Sequence, residues 1–398
     1  MDQLTRRLQH LMDAMNARMH SSVRGSRLTV QIGRWIGPAF LLCFATGMFS
    51  HYLQDPGDFP VFSGFPVRPV WIYQLMQGLH VTSGIAAIPL LLAKLWSVYP
   101  ALLRWPPIRG LRDAAERGSI ALFVAASLVE LAIGLVNTYK WYPWPFPFRQ
   151  THYWLAWIVM GSLILHLALK LPVIVQHWRR PRPRDPQPTR TRRASPGRTL
   201  GWSRRGFLTG IGLASAALVM TTAGQSFSWL SFANLFAPRS QGQGPQGVPV
   251  NRTAEQAQVA ARALDPRWRL HLSYHGQELA LSLPQLRAMT LVEYELPVAC
   301  VEGWSQNARW RGVPVREVLA LVGAPADSVL RFSSLEPAGN YREMLMPAAY
   351  AQDEQTLLAL ELNGAVLDLD HGYPVRVMAP GRPGVLQTKW LERIEVVS

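Results

Sequence analysis

Five apolar windows interrupt an otherwise mixed chain, at Ile36 to Tyr52, Val70 to Val98, Ile120 to Val136, Tyr153 to Val175 and Phe207 to Ala223. Each is close to the ~20 residues a helix needs to cross a bilayer. The helical spacing of Leu4, Leu8, Leu11, Met12 and Met15 predicts an amphipathic helix lying at the cytoplasmic membrane face. After residue 264 the pattern changes to short alternating runs. These predict strands over 269–274, 278–281, 291–299, 329–334, 357–362, 375–379 and 394–397, and short helices over 284–289 and 315–321. The expected order is an amphipathic segment (1–30), an all-α transmembrane four-helix bundle (31–176), a basic disordered loop (177–205), a fifth anchoring helix (206–226), a linker (227–264) and an α+β domain (265–398).

With 49% hydrophobic and 16% charged residues, the composition fits a membrane part joined to a soluble part. The net charge of +15 is distributed by topology. Arg6, Arg7, Arg18, Arg24, Arg27 and Arg34 precede the first window, and Arg104, Arg109, Arg112 and Arg117 lie between the second and third. Ten arginines against one acid, Asp185, fill 176–205, whereas the opposite loops hold little more than Arg68, Lys140 and Arg149. The positive-inside rule places the N-terminus in the cytoplasm and the C-terminal domain outside a bacterial inner membrane. With its basic residues so used, the chain is not read as a nucleic-acid binder.

Ser203-Arg204-Arg205-Gly206-Phe207-Leu208, followed by the apolar run Ile211 to Ala223, forms a twin-arginine export signal inside the chain. Export in the folded state is needed when a domain receives a cofactor made only in the cytoplasm, so the residues after about 240 are expected to carry one. An ordinary membrane helix with a basic flank is the alternative. Of the two cysteines, Cys43 lies in the first window and Cys300 in the C-terminal domain, so they do not pair. Cys300 is either a small buried hydrophobe or a thiolate held by a partner.

The run Pro297-Val298-Ala299-Cys300-Val301-Glu302-Gly303-Trp304-Ser305, then Trp310-Arg311-Gly312-Val313-Pro314, resembles the molybdenum-cofactor domain of the sulfite oxidase family. Within that family it is most similar to the periplasmic methionine sulfoxide reductase catalytic subunits. Leu362-Asn363-Gly364, His371-Gly372-Tyr373-Pro374-Val375-Arg376 and Lys389-Trp390 extend the resemblance over about 265–398. It implies Cys300 as the thiolate ligand of molybdenum, with His371, Arg376 and Lys389 holding the phosphate and ring of molybdopterin and Ser334 as a hydroxyl partner. A soft thiolate suits a metal that accepts oxo groups, and an arginine fork suits a phosphate. The chain departs from the family in three places. Leu386 stands where sulfite oxidases carry a basic residue, the early asparagine and aromatic contacts to the pterin have no clear counterpart, and the anion-binding arginine cluster is not recognisable, leaving Arg309, Arg311 and Arg342 as substitutes.

The fourth window supplies His152 and His166, whose separation is about 21 Å of helical rise and nearly four whole turns, the spacing of two haem levels on one face. His80, with Gly84 one turn on, lies in the second window. Histidines at membrane depth are functional sites by default. The pattern over about 30–175 is similar to the cytochrome b subunits of formate dehydrogenases and nickel-iron hydrogenases, a resemblance that pairs His80 with His152 across one haem b. Either His51 joins the ligand set and His80 pairs with His166, or His166 serves a quinone or a propionate; one haem is expected, with a second left open. Glu130 is read either as a proton relay for quinone or as a carboxyl satisfied by a neighbouring helix.

Together these features predict a membrane-bound molybdopterin oxidoreductase that transfers an oxygen atom outside the membrane and exchanges electrons with the quinone pool through its own haem. Its substrate is expected to be a small or protein-bound S-oxide or N-oxide. The alternatives are a sulfite dehydrogenase running electrons the other way, and a b-type electron carrier whose C-terminal domain has lost its metal.

Overall fold

The computed structural model describes residues 26–54, 67–102, 110–178 and 203–397. Most of the expected amphipathic segment and nearly all of the basic loop lie outside the described residues. Five long helices are present: α1 (Ser26–Gln54), α2 (Ile72–Leu102), α3 (Leu111–Thr138), α4 (Phe148–Trp178) and α5 (Arg204–Thr222). Among the described residues five stretches are long and apolar enough to cross a membrane, at 27–54, 72–99, 113–138, 148–176 and 204–225, the last running past α5 through the 3-10 turn Ala223–Gln225. At 1.5 Å per residue even the shortest spans about 33 Å, enough for a hydrocarbon core of about 30 Å.

The chain divides into two compact units. The first comprises residues 1–44, 82–137 and 141–219. In it Ile36 and Phe40 of α1, Ala87 and Leu91 of α2, Phe123 and Leu131 of α3, and Met160 and Leu163 of α4 share one apolar cluster. A second cluster sets Phe207, Leu208 and Ile211 of α5 against Leu28, Ile32, Ala93 and Trp96. Leu122, Ile164 and Leu213 point outward and exposed, as a lipid-facing surface requires.

The second unit comprises residues 45–81, 138–140 and 220–398. It holds two five-stranded sheets. One is built from β1 (Arg269–Tyr274), β2 (Gln277–Ser282), β5 (Leu330–Ser334), β6 (Glu343–Met346) and β10 (Leu391–Val396), in the order β2-β1-β10-β5-β6. The other contains β3 (Val292–Ala299), β4 (Ser305–Pro314), β7 (Leu357–Leu362) and β8 (Ala365–Val366), with β9 (Arg376–Met378) also paired to β7. Among the described residues only β1–β10 is parallel; the other pairs are antiparallel. His275 and Gly276, both at positive φ, make the two-residue turn that lets β1 fold back onto β2 in register. A capping box between Ser282 and Gln285 starts the short helix Leu283–Ala288.

All seven expected strands and both expected helices occur, with ends shifted by at most three residues. The long strand β4 was not expected as such. Its outward positions carry Asn307, Arg309 and Arg311 while Ala308, Trp310 and Gly312 turn inward, a two-residue alternation that the polar Ser-Gln-Asn start conceals. The expected linker is partly built into the fold: Ala254, Ala257, Val259 and Ala263 sit in the main core beside Leu270, Leu272, Phe332 and Trp390. The stretch 242–252, with its Pro and Gly residues, lies inside that expected linker. Within it Gln246 binds the chain through side-chain donation to Leu362 O (2.9 Å) and acceptance from Asp368 N (2.8 Å).

Candidate functional site

β3 ends at Ala299 and the chain turns back into β4 through Cys300-Val301-Glu302-Gly303-Trp304. The turn is closed by Cys300 N donating to Trp304 O (2.9 Å) and Gly303 N donating to Cys300 O (3.0 Å). Gly303 takes φ +97°, a conformation a side chain would strain. Cys300 ends up at one wall of a small pocket that opens partly to solvent. His371, Arg376 and Lys389 line the same cavity, along with Trp304 and Asn251. Four residues, between 5 and 89 positions apart in sequence, thus converge on one space.

Each group is held differently. Arg376, at the start of β9, is buried; Nη1 donates to His371 O (3.4 Å), the guanidinium lies 5.1 Å from the Trp310 ring centre, and Nε has no hydrogen-bond partner among the described residues. Burial lowers it to about 10, so it stays charged at neutral pH. Lys389 donates to Arg252 O (2.5 Å), Asp370 O (3.0 Å) and Asn251 Oδ1 (3.4 Å). Burial first, and Arg376 second, hold its amine well below the ordinary range. His371 Nε2 lies 2.8 Å from Pro245 O; a carbonyl only accepts, so Nε2 carries the proton. Burial, reinforced by Arg376, lowers this imidazole to about 4. The Cys300 thiol is pushed up by burial and by Glu302, against the pull of Lys140 and Arg239.

Ser334 is not among the cavity-lining residues. Its hydroxyl donates to Lys389 O (2.8 Å), so it supports the backbone of the lysine segment from behind. Arg309 and Arg311 pair with Glu293 (3.8 Å) and Glu361 (3.1 Å) on the exposed side of β4, and Arg342 is exposed, so the expected substitute arginine cluster does not line the cavity. Alternation along a strand sends Arg309 and Arg311 to the face opposite Trp310, which packs behind Arg376. An asparagine does line the pocket, Asn251, from the stretch read as linker. Its signal was Val250-Asn251-Arg252 at the end of a Pro/Gly-rich stretch, where an ordered residue facing a pocket is hard to tell from a loop. Glu302, buried behind the turn, accepts from Trp304 Nε1 (3.2 Å) and lies 4.0 Å from Arg239 Nε.

Of the expected haem ligands, His152 and His166 belong to the first unit and His51 and His80 to the second. In the second unit the His80 imidazole packs against Gly47, where an added Cβ would stand 2.7 Å from Cε1. In the first, an added Cβ on Gly134 would stand 3.2 Å from Cε1 of His152, and Glu130 Oε1 is 3.1 Å from His152 Nδ1. A carboxylate on one ring nitrogen is how a metal-ligating histidine is oriented, so Glu130 has the neighbouring-helix partner that one of its two readings required. His166 stacks on Phe123 with centroids 5.8 Å apart, and His51 is edge-on to Tyr52 at 6.0 Å.

Residues 256–398 match the family model described as "oxidoreductase molybdopterin binding domain". The C-terminal domain is a sulfite oxidase-family molybdopterin domain. The chain is similar to mitochondrial sulfite oxidase of Rattus norvegicus, 34% identical over 164 residues, which cover 34% of this chain and 30% of the relative. It is also similar to the putative protein-methionine-sulfoxide reductase subunit YedZ1 of Azospira oryzae, 31% identical over 119 residues covering 30% of this chain and 44% of the relative. The chain thus spans under half the length of either relative. Among solved structures, the sulfane dehydrogenase SoxCD of Paracoccus pantotrophus overlaps 33% of this chain and 38% of that chain at 22% identity, with a TM-score of 0.30. The family model begins at residue 256, nine residues before the boundary read from the strand pattern.

The donor set around this pocket, rather than its volume, suits the cofactor of a molybdopterin domain. A thiol, a buried guanidinium with an unpartnered Nε, and an amine whose hydrogen-bond partners among the described residues are neutral oxygens form a donor set that calls for an anion beside a soft metal.

Proposed function

We propose that this chain is a membrane-bound molybdopterin oxidoreductase that transfers an oxygen atom outside a bacterial inner membrane and exchanges two electrons with the quinone pool through its own b haem. The convergence of Cys300, Arg376, Lys389 and His371 on one cavity carries this reading. The preferred reaction is reduction of an S-oxide or N-oxide, because the Cys300-Val301-Glu302-Gly303-Trp304 run is most similar to the reductase subgroup.

Molybdenum, when bound, supplies the oxygen-atom chemistry and holds its protein thiol deprotonated. The chain's own residues do the rest. Cys300 is the thiolate ligand, fixed by the closed turn. Arg376, backed by Trp310, meets the phosphate with a planar fork, and Lys389 adds a second cation that an anion would keep protonated. His371 anchors the Pro245 strap over the site, and Asn251 contributes an amide at the rim. Trp304 closes the wall beside Cys300 and keeps water from it.

The membrane part is proposed as a four-helix bundle with its N-terminus in the cytoplasm and α5 as a twin-arginine-type anchor. His80 and His152 are its haem ligands, with His51 and His166 as alternates, and Glu130 serves quinone or orients His152. The sulfite oxidase relative favours a second reading, a sulfite dehydrogenase feeding quinone. The absence of Arg309, Arg311 and Arg342 from the cavity lining weighs against it.

The test is molybdenum and haem content per chain in detergent-purified protein from a cofactor-competent host, beside Cys300→Ser. Near one molybdenum per chain, with turnover lost in the variant, is expected. An S-oxide that oxidises pre-reduced haem supports the reductase, and sulfite that reduces oxidised haem supports the dehydrogenase. Haem without molybdenum would leave only an electron carrier.

A further inference from the structure

The turn after Cys300 is seated on helix residues of its own unit. Gln77 of α2, buried, donates from Nε2 to Val301 O at 2.9 Å, and its Oε1 accepts from Ser50 Oγ of α1 at 2.6 Å. Both ends of the amide are therefore committed, and the side chain is a fixed strut between α1 and the turn. Gln74 Nε2 donates to Ser305 Oγ at 2.9 Å, and Ser305 Oγ donates to Ser226 O at 2.8 Å. Ser226 Oγ in turn donates to Gly303 O. At Gly303 there is no room for a side chain: an added Cβ would stand 2.7 Å from Val81 Cγ2. Ala299, immediately before Cys300, packs with Phe49, Leu53 and Tyr73.

Gln74, Gln77 and Val81 are spaced i, i+3, i+7, so one stripe of α2 meets the turn. His80 is bonded in sequence to Val81 and lies one helical turn, about 4.5 Å of rise, beyond Gln77. Two short routes thus join Cys300 to His80: Val301 carbonyl to Gln77 amide to the helix turn, and Gly303 to Val81 to His80.

Resting on the proposed function, we propose that the Cys300–Ser305 turn is a fixed electron port. The Val301–Gln77 hydrogen bond and the Gly303–Val81 contact would carry electrons between a metal held by Cys300 and a haem held by His80, with the turn staying seated on α2. The balance is that of the proposed reaction. Quinol gives two electrons and two protons to become quinone, the electrons pass singly through the port, and the S-oxide takes both, with two protons, to become the sulfide and water.

The experiment is flash photoreduction of the haem in the purified full chain, without substrate, following haem reoxidation by molybdenum. In the wild-type protein the rate is expected to stay constant as viscosity is raised with sucrose. Gln77→Leu, which removes the hydrogen bond and the strut, is expected to slow transfer on the order of tenfold at unchanged molybdenum and haem content. Val81→Ala slows it less. A Gln74→Cys/Ser305→Cys pair is expected to cross-link on mild oxidation and to transfer at the full rate once linked. It serves also where Gln77→Leu fails to assemble. A rate that falls in proportion to viscosity, a linked pair that no longer transfers, or Gln77→Leu transferring as fast as wild type overturns the port. Wild-type protein lacking either cofactor instead removes the proposed function, and the port with it.

Discussion

The two units treat two sets of polar side chains in opposite ways. In the helical unit they are matched within the chain: Lys170 pairs with Glu116, Lys94 Nζ donates to Thr29 O (2.6 Å), and His152 stands 3.1 Å from Glu130. In the second unit Arg376 is buried and Lys389 half-buried on the same pocket, and neither makes an ion pair with an acid among the described residues. Burying a cation without its counter-ion costs several kcal/mol, so a fold keeps such a pair only where something outside the chain completes it. The difference separates polar residues that hold the protein together from those that wait for a ligand.

The sharpest way to break this comparison is Arg376→Met. Methionine has similar reach and no charge, so the cofactor-free protein should gain about 1–3 kcal/mol, read as a raised unfolding midpoint. The same variant, made in a cofactor-competent host, should retain little molybdenum. A destabilised cofactor-free variant would show that Arg376 is structural, answered by Trp310 and His371 O alone.

Next in size is the acid response of His371. Its folded value near 4 lies below the ordinary 6.5, so below that upper value the unfolded chain binds a proton that the folded chain refuses. Stability is then lost as pH falls from about 6.5 towards 4, by up to roughly 3 kcal/mol in cofactor-free protein. Denaturant unfolding of the full chain at pH 7 and pH 5 should show this loss, and His371→Asn should largely remove it. Cofactor loading should shrink it as well, since a nearby phosphate favours the protonated ring.

Glu130→Gln probes the matched side of the comparison. If the carboxylate orients His152, its loss should raise the haem reduction potential and alter the low-spin spectrum, because a less basic imidazole stabilises ferric iron less. If Glu130 relays protons for quinone, the potential should stay while quinol oxidation slows. Redox titration of the purified variant separates the two.

Much of this was legible in sequence because its signals are local. The helices announce themselves by apolar length, and β1 and β7 by runs whose ends match the observed strands residue for residue. Cys300, His371, Arg376 and Lys389 were found through short blocks in the right order, and the fold brings those blocks together. What was missed is what tertiary packing decides. Asn251 faces the cavity only because Val248, Ala254 and Ala257 on either side of it are buried and pin the stretch. Ser334 carries the right hydroxyl yet faces Lys389's carbonyl, since its strand position is set by pairing with β10 at Leu391. The seat of the 300–305 turn on Gln74, Gln77 and Val81 joins positions more than 200 apart in sequence, and no local pattern encodes that distance.

The smallest expected effect comes from Arg311. It faces Glu361 across the β4–β7 pair, in register and 3.1 Å apart, with both side chains partly exposed. An ion pair so placed is screened by water and is worth about 0.2–1 kcal/mol, so Arg311→Ala should barely move the unfolding midpoint. It should also leave KM for sulfite and for S-oxides unchanged, because the side chain leaves β4 on the face away from the cavity. A large rise in KM for sulfite alone would mean that the anion reaches the metal past this strand face. That outcome would restore the arginine-cluster reading and turn the balance towards the sulfite dehydrogenase.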